Sequence, residues 1–296
     1  MTGHHEPSSG PTRSRRVGDM DRADLAAAYL DALGLAPGDP SYRRLAELVS
    51  RHVAVLAFTS VGPRLGDDLP LDLEALVDRI VVRRRGGYCF EHNGLLFEVL
   101  QDLGYAPRLV LARVLLSGNP HPPLTHRISL VALDGVPHVV DVGFGAPGPH
   151  LPVPMTGEEV GSSWRRFRVA EARPGHWTMQ ARNGDDWLSL YRFELLEYGQ
   201  SDCEVGHFYS HRSPRASFTT TLVASVIRDD EVRSLRDTEY RVIHDGGEDS
   251  TSVTSAAQLR ELLSGQLGVD VTPEEAARLY AGSLDATSGA PPSPDG

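Results

Sequence analysis

The chain reads as an α+β protein in three consecutive parts. Three observations carry that reading: apolar residues recur at helical spacing up to Gly104, strand signals take over from Ala106 to about Phe193, and a mixed segment begins near Ser217. At 296 residues the chain is long enough for two or three subdomains around substantial cores.

In chain order, residues 1–18, rich in Ser, Pro, Gly and Arg, read as a disordered tail. Residues 19–104 form the helical part, in which Asp72-Leu73-Glu74-Ala75-Leu76-Val77-Asp78-Arg79-Ile80 places apolar side chains at i, i+3, i+4 and i+7. Residues 105–205 form the strand-rich part. There Asn183-Gly184 and Pro174-Gly175 punctuate runs such as His176 to Ala181 and Trp187 to Tyr191, the pattern of a sheet or barrel. Residues 206–283 are mixed, with strands expected at Phe218 to Ile227 and Glu239 to Ile243 and then two helices. Thr272-Pro273-Glu274-Glu275 supplies the N-cap and first turn of the second. Residues 284–296 read as a second disordered tail.

The chemistry centres on one thiol. Cys89 lies in Arg85-Gly86-Gly87-Tyr88-Cys89-Phe90-Glu91-His92-Asn93, and the only other cysteine is Cys203. The run from Tyr88 continues directly into the helical period Gly94 to Leu103, which Gly104 stops, so Cys89 falls at a helix N-terminus behind a Gly-Gly turn. Unpaired N–H groups and the positive end of the helix dipole favour a thiolate there. A thiol followed by an imidazole in Thr125-His126-Arg127 and a carboxylate in Asp141-Val142-Gly143-Phe144-Gly145 is the order of parts in a covalent acyl-transfer site.

Strand arithmetic brings the last two together. Arg127 to Leu133 and Val136 to Val142 flank Asp134-Gly135, a strong two-residue hairpin signal. With that turn, Leu133 faces Val136, Ile128 faces Asp141 and His126 faces Gly143. His126 and Asp141 become diagonal neighbours on one face, about 7–8 Å apart at the backbone. A slip of one residue would separate them.

Composition narrows the class. No apolar run approaches the roughly 18 residues needed to span a membrane, two cysteines make no disulfide framework, and the start lacks an apolar signal segment, so a cytoplasmic enzyme is expected. A net charge of -11 argues against nucleic acid as a partner. Lysine is absent, so all 29 basic side chains are Arg, which excludes Schiff-base chemistry and leaves guanidinium groups to meet phosphates on an acyl-carrier thiol.

The set Arg-Gly-Gly-Tyr-Cys-Phe-Glu-His-Asn, Thr-His-Arg and Asp-Val-Gly-Phe-Gly resembles the arylamine N-acetyltransferases and the related amide synthases that close macrolactam rings in ansamycin biosynthesis. Asp24 to Leu35 looks like that family's opening helix and Ser255 to Val269 like its closing helix, so the resemblance covers most of residues 20–282. It implies a papain-like three-part fold with an N-terminal helical bundle, a central β-barrel over 105–205 and a C-terminal α/β lid over 206–283. It also implies a Cys89–His126–Asp141 triad, ping-pong acyl transfer and acetyl-CoA as co-substrate, with no tightly bound cofactor. Two departures bear on the acceptor. Ala57-Phe58-Thr59-Ser60 stands where the family usually has Pro-Phe-Glu-Asn, and Gly206-His207 stands where an Asn is common.

On this reading His126 activates Cys89, Asp141 orients the imidazole, and the backbone N–H groups of Cys89 and Phe90 receive the oxyanion. Candidate substrate-contacting residues are Phe58, Val114, Thr125, Gly143 and Phe144, with core packing the alternative for Phe58, Val114 and Phe144. The expected partners are a small-molecule amine acceptor and an acyl thioester donor. An amide synthase would instead release a polyketide as a macrolactam from an acyl carrier protein, and a papain- or transglutaminase-like hydrolase is the alternative of another class. Metal binding is not expected, because no second Cys/His pair completes the Cys89-x-x-His92 spacing. His121 reads as a loop residue bordering the cleft, and Cys203 as structural.

Overall fold

The computed structural model describes residues 17–288. Residues 1–16 and 289–296, most of the two expected tails, lie outside the described residues. The first part holds α1 (Arg22–Ala32), α2 (Tyr42–Val55), the short strand β1 (Phe58–Thr59), α3 (Val61–Leu65), α4 (Leu73–Leu76) and α5 (Cys89–Asp102), which begins at the thiol. Local chemistry starts these helices: Asp21, Ser41 and Asp72 each accept a backbone N–H from the first turn, at 2.9, 3.1 and 3.0 Å. Gly104, at φ +80°, follows the end of α5 as the sequence suggests.

The helix expected over Asp72 to Ile80 is α-helical only to Leu76 and continues as a π-helical stretch, Val77–Val82. The widened turn buries Arg79 along with Val77 and Ile80, and sets its guanidinium 2.9 Å from the buried carboxylate of Glu91 on α5. Periodicity that treats arginine as a surface residue has no means of anticipating this.

The second part is a curled antiparallel sheet of β2 (Arg108–Val114), β3 (His126–Leu133), β4 (Val136–Val140), β5 (Val153–Pro154), β6 (Val160–Gly161), β7 (Arg166–Arg173), β8 (His176–Asn183) and β9 (Asp186–Glu194). Among the described residues the order is β5-β4-β3-β2-β9-β8-β7-β6. Val153 of β5 shares one buried cluster with Phe167 and Val169 of β7, so the sheet curls into a nearly closed barrel. Inward residues such as Val110, Ile128, Met179 and Tyr191 fill it, as the period of two requires.

The third part begins with α6 (Gln200–Arg212), which runs unbroken across the 205/206 boundary drawn from sequence, and α7 (Ser217–Thr220). It continues with β10 (Val223–Ile227), β11 (Glu231–Arg236), β12 (Glu239–His244), β13 (Gly247–Ser252), α8 (Ala256–Glu261) with a π-helical extension Leu262–Gln266, and α9 (Pro273–Ser288). The strand expected from Phe218 therefore starts only at Val223, after a helical turn. The last helix enters the segment expected as tail. At its start Glu275 accepts from the Thr272 N–H at 2.9 Å while Thr272 Oγ1 accepts from the Glu275 N–H at 3.2 Å, a reciprocal cap.

The parts interlock. β1 from the first part is an edge of the third-part sheet, with Phe58 opposite Ser225. The core around Leu48, Ile80 and Leu96 takes in Val140 and Val142 from the barrel and Ile227 and Val232 from the third part. The loop before Cys89 is held as well, because Arg85 makes a two-pronged pair with Glu275 of α9 at 2.7 and 2.8 Å. Among the described residues no helix is long and apolar enough to cross a membrane.

Candidate active site

Cys89 is the first residue of α5 and only 3% exposed. Tyr88 has no side-chain acceptor with which to cap the helix. Glu91 reaches back instead, its Oε2 accepting from the Tyr88 N–H at 3.2 Å. Burial pushes the Glu91 carboxyl up to about 7, against the opposing pull of Arg79 and the Tyr88 N–H. The Gly-Gly turn is required sterically: Gly86 has φ +62°, and a Cβ there would lie 2.6 Å from the Ala57 carbonyl oxygen.

The Cys89 thiol donates to the Thr125 carbonyl at 3.4 Å. His126, at the head of β3, bonds Asp141 Oδ2 through Nε2 at 2.7 Å. A carboxylate oxygen only accepts, so Nε2 carries a proton toward Asp141. Burial opposes charge on His126, but Asp141 and the adjacent Cys89 outweigh it and raise the imidazole to about 10. Asp141 is fully buried. Burial alone would raise its carboxyl, yet His126, Asn93 and the Gly143 N–H together hold it below the usual carboxylate range.

The hairpin has the expected turn, with Asp134 and Gly135 at φ 50° and 80° and Leu133 opposite Val136. The ladder nevertheless ends at Ser129 opposite Val140, so the expected pairings of Ile128 with Asp141 and His126 with Gly143 do not form. Asp141 leaves the sheet and turns back toward His126 because other donors capture the chain beyond it. Gly143 N–H donates to Asp141 Oδ1 at 2.9 Å, and Val142 N–H donates to Asn93 Oδ1 at 2.9 Å.

Asn93 is a site residue that the sequence reading missed. Its Nδ2 donates to Asp141 Oδ1 at 2.9 Å and to the Arg127 carbonyl at 2.6 Å, tying α5 to Asp141 and to β3 one residue past His126. The available signal was an amide four residues after Cys89, on the same face of the helix. Tyr191 on β9 was missed too, and nothing in its strand pattern marks it. Its ring lies 4.8 Å from that of His126 and 5.2 Å from Phe144.

The candidate substrate residues divide. Gly143 presses on the nucleophile, since a Cβ there would be 2.7 Å from Cys89 Cα and 2.8 Å from Asn93 Nδ2. Phe144 meets the His126 ring edge-on at 5.1 Å. Thr125 contributes its carbonyl. Phe58 shares an apolar cluster with Cys89, Tyr88 and Phe90, packs against Phe218 at 5.8 Å, and lines a small cavity with Phe144 and Val142 that does not reach Cys89 itself. Val114, opposite Tyr191 at the end of β2, lies outside that cluster among the described residues. Cys89 and Phe90, as the first helical residues, have N–H groups without intrahelical acceptors, whereas the Glu91 and His92 N–H groups turn back to the Tyr88 carbonyl at 3.0 and 2.9 Å.

The two departures are absorbed by structure. Thr59 and Ser60 spend their hydroxyls on the third part: Thr59 Oγ1 donates to the Val223 carbonyl at 3.0 Å, and Ser60 Oγ to the Thr221 carbonyl at 2.8 Å. Gly206 lets α6 approach Phe90 and the Leu124 carbonyl, each 2.7 Å from where a Cβ would stand. His207 donates from Nε2 to the Leu69 carbonyl at 2.7 Å and accepts at Nδ1 from the Tyr88 hydroxyl at 2.5 Å. Cys203 is fully buried in α6, and burial pushes its thiol up to about 11. His121 is exposed in a loop, its N–H on Asn119 Oδ1 at 2.9 Å. Both ring nitrogens of His92 are bonded within the protein. Among the described residues no group of three or more His, Cys, Asp or Glu could hold a metal ion.

A helix that begins at a thiol, a barrel strand carrying an imidazole and a loop carrying the carboxylate bonded to it meet at one site, and the comparisons with known proteins give its class. The N-acetyltransferase family model matches residues 42–276. The arylamine N-acetyltransferase of Mycobacterium tuberculosis is 37% identical over 254 residues, covering 82% of this chain and 89% of its own. The solved arylamine N-acetyltransferase from Salmonella typhimurium superposes with a TM-score of 0.82 at 31% identity, over 87% of this chain and 98% of that one. The Mycobacterium marinum enzyme, solved in complex with CoA, gives 0.81 at 33% identity over 88% and 99%. The chain belongs to the arylamine N-acetyltransferase family and is an acetyltransferase.

Proposed function

We propose that the protein moves an acetyl group from acetyl-CoA to an arylamine through a thioester on Cys89. The observation that carries this reading is the 2.7 Å bond from His126 Nε2–H to Asp141, which holds the imidazole as the proton acceptor for the thiol of Cys89 at a helix N-terminus. His126 takes the Cys89 proton. The thiolate attacks the thioester carbonyl, the Cys89 sulfur–carbon bond forms, the bond to the CoA sulfur breaks, and the departing thiolate takes a proton from His126. In this reading the N–H groups of Cys89 and Phe90 receive the oxyanion of the tetrahedral intermediate. The amine then attacks the acetyl carbon, the bond to Cys89 breaks, and His126 accepts the proton released by the nitrogen.

Phe58, Phe144 and Gly143 form the acceptor side of the cleft in this reading, and the CoA complex of the Mycobacterium marinum relative supports the choice of donor. The test is intact-mass analysis after mixing with acetyl-CoA. One acetyl group should appear on Cys89 and disappear on addition of an arylamine. No adduct, or an adduct retained by Cys89→Ser, would overturn the assignment. An adduct that resists every simple arylamine would turn the acceptor reading toward intramolecular amide closure.

A further inference from the structure

Beneath the nucleophile helix runs a buried polar chain that no step of acyl transfer uses. The Ala57 carbonyl can only accept, so the His92 Nε2 at 2.9 Å from it carries a proton. Burial holds His92 neutral, its pKa pushed down to about 4, with nearby Arg79 pressing in the same direction and the backbones of Ala57 and Gly87 opposing. A neutral ring protonated at Nε2 accepts at Nδ1, so His52 Nε2, 2.7 Å away, is the donor. His52 is likewise held neutral by burial and by His92, and it accepts at Nδ1 from the Tyr29 hydroxyl at 2.8 Å. Each bond therefore has one direction, from Tyr29 to His52 to His92 to the Ala57 carbonyl, and all three side chains are fully buried.

What the chain grips is a joint. The Ala57 carbonyl also accepts from the Gly87 N–H at 3.4 Å, and the Gly87 carbonyl accepts from the Thr59 N–H at 2.6 Å. Phe58, between those contacts, is in turn pressed by Gly145, where a Cβ would stand 2.9 Å from the Phe58 ring. The same carbonyl thus links the Phe58 wall to the loop that delivers Cys89. Buried polar groups fully satisfied by one another hold a single arrangement where apolar side chains of equal volume would allow several.

The geometry points to Tyr29, His52 and His92 as positioning residues for the amine half-reaction: they pin the Ala57 carbonyl so that Phe58 keeps its place while the acetyl group leaves Cys89. This rests on the reading of Cys89 as the acylated residue and Phe58 as acceptor wall.

The test separates the half-reactions, following CoA release on mixing with acetyl-CoA and then discharge of acetyl-Cys89 across arylamine concentrations, in variants first verified as folded. His92→Leu removes the donor to Ala57, His92→Gln retains one, and Tyr29→Phe deletes the head of the chain. His92→Leu should raise the amine KM about tenfold with acylation within about twofold, His92→Gln should recover most of that, and Tyr29→Phe should cost about two- to fivefold in amine KM. Nitrogen-15 spectra of labelled histidine should show His52 and His92 as neutral Nε2–H tautomers from pH 5 to 8. Equal losses in both half-reactions, a Gln variant no better than Leu, or an Nδ1–H tautomer at either ring would overturn the inference. If His92→Leu does not fold, an unchanged amine KM in both other variants overturns it. A wild-type protein that takes no acetyl group from acetyl-CoA overturns the functional reading and this inference together. One that turns over without the KM split overturns the inference alone.

Discussion

Replacing Asp141 by Asn tests whether the carboxylate acts by fixing one tautomer of His126. Asp141 Oδ1 faces two donors, Asn93 Nδ2–H and the Gly143 N–H, both at 2.9 Å, while Oδ2 faces His126. An asparagine has one acceptor oxygen, and the two donors will keep it. Its NH2 group is then left against His126 Nε2, which can accept that bond only by giving up its own proton, so that the neutral ring carries its proton on Nδ1. The base is then blocked by a proton and the negative charge behind it is gone. The comparable change in serine proteases costs about 10⁴ in rate, or about 5.5 kcal/mol of barrier, and a similar loss is expected in the acylation of Cys89. Rapid-quench measurement of CoA release in a single turnover reads that step directly, and histidine nitrogen-15 spectra should show the tautomer switched. A loss below tenfold, or an unchanged Nε2–H tautomer, would refute the reasoning and leave Asp141 a purely structural residue.

Cys89→Ser should reduce acetyl transfer to background in a folded protein, since a hydroxyl is a far weaker nucleophile than a thiolate, whereas Cys203→Ser should leave single-turnover acylation nearly unchanged. Gly143→Ala drives a methyl group against the Cys89 backbone 2.7 Å away; a stability loss of about 1–3 kcal/mol by chemical denaturation, with slower acylation, is expected. Stability should also fall in acid. His92 is held to about 4 in the fold against an ordinary 6.5, so its contribution is present above about pH 6.5 and lost as pH falls through about 4, worth up to about 3 kcal/mol. Glu91, raised to about 7, works oppositely, its contribution present below about 4.5 and lost as pH rises through about 7. With His52 and His207 also held low, the histidines should prevail, and melting temperatures measured from pH 4 to 8 should drop below about 6. A flat profile there would contradict the buried neutral rings.

The parts of this chain legible in sequence are those where one local signal suffices. The Asp-Gly turn pins the β3–β4 register, and the stop at Gly104 bounds a helix that begins at Cys89. Strand β13 was not legible, because Gly247 to Ser252 is polar and exposed throughout and offers no alternation to read. Asn93 and Tyr191 were missed for a related reason: their roles depend on partners distant in sequence, Asp141 for the amide and the His126 ring for the aromatic face. The inward turn of Arg79 needs the π-helical register, which a 3.6-residue period conceals.

The departures from the family pattern illustrate how far substitution can be read as function. Loss of a carboxylate and an amide after Phe58 suggests from sequence alone a remodelled acceptor site. In the fold, the replacement hydroxyls of Thr59 and Ser60 bind the β10 backbone and its approach, and His207 binds Tyr88 and Leu69, so these positions join the nucleophile's surroundings to the third part. On the proposed reading of Phe58 as acceptor wall, acceptor selectivity falls to the aromatic side chains beside it, Phe218 packed against it and Phe144 lining one cavity with it. Such a wall discriminates by shape and ring contact and has no carboxylate to recognise a cationic amine. On that reading it would favour neutral aromatic amines over charged aliphatic ones, because transferring an ammonium group into it would cost desolvation with no compensating partner.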